Sequence, residues 1–275
     1  MPSLIFDATK CLGCGICTTV CNFIILDKKG KGNVPKKREP DICIACGHCV
    51  AVCPNQAITH SLLNMDNFKE VTNTLTADDI EMFLSSKRSL RNFLDKPIEK
   101  EIMERIIEVA CQAPSDLNSQ NRKFIVLNDK EKIDTLEAYI VEGFRQYVAG
   151  ALKQGMPESS LEIIISNDII ENFEKGKKPV FKGAPSVIFI AGPVPEKELF
   201  AGYSCVVAQT YLVLMAHSLG LGSCVIGRAL YDVQKLGEFL EVPAGHKIYS
   251  AITLGYPKVK YKRTVDRRKA NISWK

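Results

Sequence analysis

No cationic start followed by a long apolar run opens this chain of 275 residues, so no secretory leader is expected and the cytoplasm is the expected compartment. Aromatic residues make up only 8% of the sequence and are scarce in its two basic clusters, the loop DKKGKGNVPKKREPD (27–41) and the tail KVKYKRTVDRRK (258–269). Nucleic-acid modules combine cations with recognisable motifs, and none accompanies these clusters, so no nucleic-acid partner is expected. They read instead as a solvated loop and a phosphate-holding tail. Asp, Glu, Lys and Arg are all missing from Leu199 to Gly227. That length alone would admit a membrane span. Ser204, Gln209, Thr210, His217 and Ser218 recur through it, however, and glycines interrupt it. A buried core or interface helix is therefore expected, with no membrane partner.

Cysteine is abundant and clustered. CLGCGICTTVC (11–21) holds four of the eleven, and CIACGHCVAVCP (43–54) repeats the spacing, each cysteine lying 32 positions after its counterpart. Disulfides do not suit neighbours two residues apart in a reducing compartment. Structural zinc draws two ligands from each of two separated knuckles, which three cysteines within seven residues do not provide. The run CxxCxxCxxxC, with Pro54 after the second copy, resembles the bacterial ferredoxin pattern. Asn22 stands where that pattern has its proline. The resemblance implies two 4Fe-4S clusters, one held by Cys11, Cys14, Cys17 and Cys53, the other by Cys43, Cys46, Cys49 and Cys21. Gly13, Gly15 and Gly47 would let backbone N–H groups approach cluster sulfur. His48 either tunes the second cluster or stands exposed beside it. The apolar pieces SLIFD (3–7), NFIIL (22–26) and AITHSLL (57–63) suggest the small pseudo-symmetric ferredoxin fold over residues 1–63, a domain whose thin core the metal would supplement.

A polar linker, SLLNMDNFKEVTNTL (61–75), leads into a second domain, so that the chain divides into 1–63 and 64–275. Thr76 with Asp79 reads as a helix N-cap, with Leu75 and Ile80 as its hydrophobic staple. A second helix after Pro97 turns Ile102, Ile106 and Val109 or Ala110 inward. FIVL (124–127), SVIFIAG (186–192) and KIYSAITLG (247–255) read as strands separated by helices. The fold class expected is α+β, a small ferredoxin-like domain followed by a domain with one mixed central sheet. Residues 140–180 are expected to be variable loops that line an acceptor pocket.

SKRSLRNF (86–93), APSDLNSQNRKFIVL (113–127) and SLGLGSCVIGR (218–228), in this order and separation, resemble the nitroreductase-like flavoproteins. With the cysteine-rich start, the chain resembles a ferredoxin–nitroreductase fusion. The resemblance implies bound flavin mononucleotide (FMN). Lys87, Arg88, Ser89 and Arg91 form a cationic donor set suited to its phosphate and ribityl chain. Pro114, Ser115 and Asn118, with Gln120 a weaker carry-over, would contact the flavin. The backbone of Ser223, Cys224, Val225, Ile226 and Gly227 would lie beside its ring, and Arg267 or Arg268 would reach its phosphate. Gly220 and Gly222 read as helix-terminating glycines. Cys111, Cys205, Cys224, His217 and His246 read as packed residues without a catalytic role.

No serine–histidine–aspartate set and no paired carboxylates emerge, which suits an enzyme whose cofactor carries the chemistry. The resemblance implies an oxidoreductase that passes electrons through the clusters to FMN and on to a small acceptor such as a nitroaromatic compound. The donor would be reduced ferredoxin or NAD(P)H. The working form would be a homodimer with FMN at the interface. Two alternatives remain open: an electron-transfer module for a protein partner, and another reaction of the family such as reductive dehalogenation or flavin breakdown.

Overall fold

The computed structural model describes residues 4–72, 74–230 and 232–275, so Ser3 and Asn73 of the segments quoted above lie outside the described residues. The chain divides into two compact units, Met1–Thr74 with Leu117–Ser119, and Leu75–Asp116 with Gln120–Lys275.

In the first unit, β1 (Leu4–Phe6), α1 (Ile16–Val20), β2 (Ile24–Ile25), β3 (Lys36–Lys37), α2 (His48–Ala51) and β4 (Ile58–His60) follow one another. β1 pairs antiparallel with β4, and β2 with β3. Both short helices start at a left-handed glycine, Gly15 and Gly47, so the 32-residue repeat in sequence is also a repeat in backbone. The core is thin: Leu4, Ile24, Val50 and Ile58 are buried together with Cys17 and Cys49.

The second unit opens with α3 (Ala77–Ser86), capped by a reciprocal box in which the Thr76 hydroxyl accepts from Asp79 N and the Asp79 carboxylate accepts from Thr76 N. Such a cap is worth about 1 kcal/mol. The staple expected at Leu75 and Ile80 stays exposed, and α3 buries no residue. There follow α4 (Lys100–Cys111), β5 (Lys123–Leu127), α5 (Lys130–Lys153), α6 (Leu161–Glu174), β6 (Ser186–Pro193), α7 (Ala201–Ser218), β7 (Gly222–Val225), α8 (Val233–Phe239) and β8 (His246–Gly255). The expected loops at 140–180 are thus largely the helices α5 and α6. Ile133, Leu136, Ile140, Val141 and Phe144 recur at helical spacing and are buried, which explains the difference.

The sheet order is β5-β6-β8-β7, each pair antiparallel, and an isolated parallel bridge joins Ser89 to Ser223. All eight residues of β6 are buried. Its side chains alternate between two cores: Val187, Phe189 and Ala191 pack among residues of α5 and α8, and Ile188 and Ile190 among residues of α4 and α7. A bulge between Ile190 and Ala191 shifts the register against β8. Helix α4 buries Met103, Ile106 and Ala110. Buried Glu137 accepts from Val180 N and Phe181 N at 2.7 and 3.3 Å, which ties α5 to the turn before β6. Among the described residues no helix is long and apolar enough to cross a membrane.

Candidate cluster cavities and cofactor site

In the first unit the eight cysteines of the two runs sort into two sets. Cys11, Cys14, Cys17 and Cys53 line one cavity, and Cys21, Cys43, Cys46 and Cys49 line another. Each cavity therefore takes three cysteines from one run and the fourth from the other. Burial pushes the Cys17 thiol up, and Cys14, Cys53 and Cys11 push it further. Cys49 is pushed up to about 11 by burial, with Cys21 and Cys46 adding to it. Bound iron would reverse that balance, because a coordinating thiol is taken as the thiolate. Among the described residues no group of three or more His, Cys, Asp or Glu side chains converges on a single-ion site. This donor set fits a multi-iron core.

Backbone donors already point at sulfur. Gly13 N–H reaches Cys11 Sγ at 3.4 Å and Ala57 N–H reaches Cys53 Sγ at 3.3 Å. Gly13 has no substitute: a Cβ there would lie 2.0 Å from Gly30 O. His60, on β4, was not singled out by the sequence. It is buried, its Nδ1 accepts from Leu62 N at 3.1 Å, and its Nε2 lies 3.7 Å from Cys43 Sγ. The Leu62 bond occupies Nδ1 as an acceptor, so the ring proton sits on Nε2 and is donated to the sulfur. His48 is exposed at the start of α2.

In the second unit a cavity of about 460 Å³ opens between Lys87 and Arg88, the Gly220–Ser223 turn into β7, His217 on α7 and the segment Pro257–Tyr261. Burial pushes the Lys87 ammonium down, and Arg88 and Arg91 add to this while Cys224 opposes it. Arg88 hydrogen-bonds Ser85 O, but its Nε is buried without a partner, and so is Ser223 Oγ. Two orphaned donors beside a crowded pair of cations fit a bound anion. Ser86 Oγ lies 2.9 Å from His217 Nε2, and burial, then Lys87 and Arg88, push that imidazole down. Gly222 does not end a helix as expected. It lies in β7, where a Cβ would meet Leu90 Cδ2 at 2.0 Å, so the glycine lets the Ser89–Leu90 segment lie against the strand.

The other expected residues fall elsewhere. Ser89 and Arg91 are exposed. Cys224 and Ile226 are buried, and Val225 and Gly227 are exposed. Arg267 and Arg268 are exposed in the tail, while Lys260 and Tyr261 line the cavity. Pro114 and Ser115 sit on a turn held by Arg122, a residue the sequence did not point to. Its guanidinium donates to the carbonyls of Cys111, Ala113, Pro114 and Ser204. Ser115 Oγ accepts from Gln120 N. Asn118 groups with the first unit, where its Nδ2 donates to Ile44 O and Ala45 O at 2.9 and 3.2 Å. Cys205 is buried as expected, whereas Cys111 is exposed.

The nitroreductase family model matches residues 84–256, well over half of the chain. The chain belongs to the nitroreductase family. Ahead of this nitroreductase domain, residues 10–58 match the 4Fe-4S dicluster domain, so the protein is a nitroreductase-family oxidoreductase with a ferredoxin-type 4Fe-4S domain in front. FMN reductase [NAD(P)H] of Bacillus subtilis is 28% identical over 183 residues, 63% of this chain and 64% of that one. Ferredoxin-3 of a Nostoc species is 33% identical over 73 residues, 21% of this chain and 75% of the other. Among solved structures, the nitroreductase with bound FMN from Bacteroides fragilis shares the fold with a TM-score of 0.55 at 22% identity, covering 71% of this chain and 99% of that one.

Proposed function

We propose that this nitroreductase-family protein is an iron–sulfur flavoprotein reductase that moves electrons from a low-potential donor through two 4Fe-4S clusters to FMN and on to a small acceptor. Cys11, Cys14, Cys17 and Cys53 would hold one cluster, and Cys21, Cys43, Cys46 and Cys49 the other, as the two cysteine-lined cavities support. When bound, the clusters supply one-electron transfer and the flavin supplies the two-electron reduction of an acceptor such as a nitroaromatic compound. The donor is reduced ferredoxin or NAD(P)H, the latter named in the Bacillus relative.

The observation that carries the FMN reading is the pair of buried, unpartnered donors, Arg88 Nε and Ser223 Oγ, beside Lys87 in one cavity. Lys87 and Arg88 would hold the phosphate, Ser223 would offer its hydroxyl, and Lys260 would close the cavity in the place expected of Arg267 or Arg268. No side chain is required as acid or base. The second unit works as half of a homodimer in this reading. Leu199, Tyr203, Val206 and Tyr211, on or next to the uncharged α7, are exposed apolar positions that a second copy would cover. Such an assembly would let Ser89, Arg91, Pro114 and Ser115 serve a flavin at the interface.

Arg88→Ala tests the site. A charge-assisted hydrogen bond is worth about 1.5 to 3 kcal/mol, so FMN affinity should fall roughly ten- to a hundredfold. Flavin occupancy after dilution and dialysis is the measurement, and undiminished occupancy refutes the assignment.

A further inference from the structure

The two halves of the first unit repeat each other in cysteines and backbone, yet a lysine takes part in covering only the first of the two helix starts. Over Gly15, at the start of α1, lie the stem of Lys29, its Cε 3.3 Å from where a Cβ would stand, and Leu26, its Cδ2 3.4 Å from that point. Over the matching Gly47 lie Leu63 and Phe68, each with an atom 3.3 Å from that point. Cys14 is exposed, whereas its counterpart Cys46 is half-buried. The loop that brings Lys29 is fixed on the first cysteine run, since Gly30 N–H donates to Gly13 O at 3.0 Å and Asn33 N–H to Gly30 O at 3.1 Å.

This loop carries cations without local compensation. Lys36 pairs with Asp27 at 2.8 Å and Lys37 with Asp41 at 2.6 Å. Lys28, Lys29, Lys31 and Arg38 are exposed and, among the described residues, appear in no ion pair within 4.0 Å. Thirty-two positions on, where the second half has the counterparts of Lys28, Lys29 and Lys31, the chain reads His60, Ser61 and Leu63. Exposed Leu12 and Ile16 flank exposed Cys14 in the chain, and the stem of Lys29 lies against the neighbouring Gly15, so apolar side chains and an unpaired cation share this end of the unit. Exposed apolar side chains beside a run of unpaired cations suit brief docking of a protein of opposite charge.

We propose that this face, built on Lys28, Lys29 and Lys31 around Cys14, is the docking site of an acidic electron-carrier protein, and that electrons enter through the cavity of Cys11, Cys14, Cys17 and Cys53. The proposal rests on the reductase reading above and names its donor as a protein. In each encounter the carrier is oxidised by one electron and the cluster at this cavity is reduced by one, with no proton or group transferred. Two encounters deliver the pair of electrons that reduction of a two-electron acceptor consumes. The lysines act on the encounter rate, because opposite charges on two surfaces steer association and salt screens them.

The test uses full-length, cluster- and flavin-loaded protein under anaerobic conditions, with a reduced, acidic [2Fe–2S] ferredoxin as probe. In Lys28→Gln/Lys29→Gln/Lys31→Gln the second-order rate constant for oxidation of the probe should fall by about tenfold or more at low salt, and its salt dependence should flatten. The triple Lys→Arg variant should keep the wild-type rate, and Lys69→Gln, on the other half of the unit, should not change it. Reduction by the methyl viologen radical cation should not slow in any variant, which separates docking from damage to the clusters. An unchanged rate and salt slope in the Gln variant overturns the proposal. So does an equal loss in Lys69→Gln, or lysine-dependent binding to duplex DNA or to phosphatidylglycerol vesicles with ferredoxin kinetics unaltered. If dithionite-reduced protein fails to reduce a nitroaromatic while the lysine effect persists, the reductase reading falls and the docking site stands.

Discussion

The two units reach a folded state by opposite means. The second has an eight-residue strand buried along its whole length and a core on each side of it, so burial of Val, Ile, Leu and Phe is enough to organise it. The first has two sheets of two short strands each and a core in which two of the six buried residues are cysteines. A unit of that size buries too little apolar surface to fold securely by itself, and bonds between iron and thiolate are the natural supplement. In the proposed reading the same cysteines would serve conduction and cohesion, whereas the charged and polar lining of the second unit's cavity, Lys87, Arg88, Ser223 and Lys260, lies outside its packed cores.

Iron removal is the strongest way to separate the two. A chelator under reducing conditions should abolish hydrogen-exchange protection in β1 and β4 and leave β6 and β8 protected; equal loss in both units would remove the distinction. Cys21→Ala sharpens this, because it should disturb the iron site of Cys43, Cys46 and Cys49 before that of Cys11, Cys14 and Cys17, read by iron content and electron paramagnetic resonance. Next in size, Phe189→Ala should destabilise the second unit by about 3 to 5 kcal/mol in denaturant titration with iron content unchanged. The smallest effect is expected at His60. Its Nε2–H bond to Cys43 Sγ favours the more negative, reduced cluster, so His60→Leu should lower the potential of that centre alone, on the order of 60 mV for a tenfold loss in the one-electron equilibrium. An unmoved potential would reduce His60 to a packing residue.

How much of this could be read from the sequence depended on the range over which each feature is determined. The cysteine runs, the Thr76 cap and strands such as β6 are local signals, spelled out by spacing, by one polar pair or by an unbroken run of apolar residues. β7 is not local: GSCV is a poor strand by composition, and it becomes one through pairing with β8 and through the approach of Leu90 to Gly222. His60 is equally silent, because its meaning depends on the fold bringing it to a sulfur seventeen positions earlier. The tail is ambiguous for a related reason. Several basic residues in a row offered equivalent choices, and the geometry brings Lys260, not Arg267 or Arg268, to the cavity. Arg122 collects four carbonyls that no sequence spacing announces.

The exchange of the fourth cysteine between the two runs has a consequence for how the protein is made. Synthesis runs from the amino end, so the first cavity has three of its cysteines once residue 17 has left the ribosome, but it lacks Cys53 until the whole second run has followed. The second cavity has Cys21 early and lacks the other three until residue 49. Both sets close within a few residues of each other, at Cys49 and Cys53. Completion of either cysteine set is thereby postponed until the second run has emerged, and the two sets become complete almost together although the two runs begin 32 positions apart in the chain.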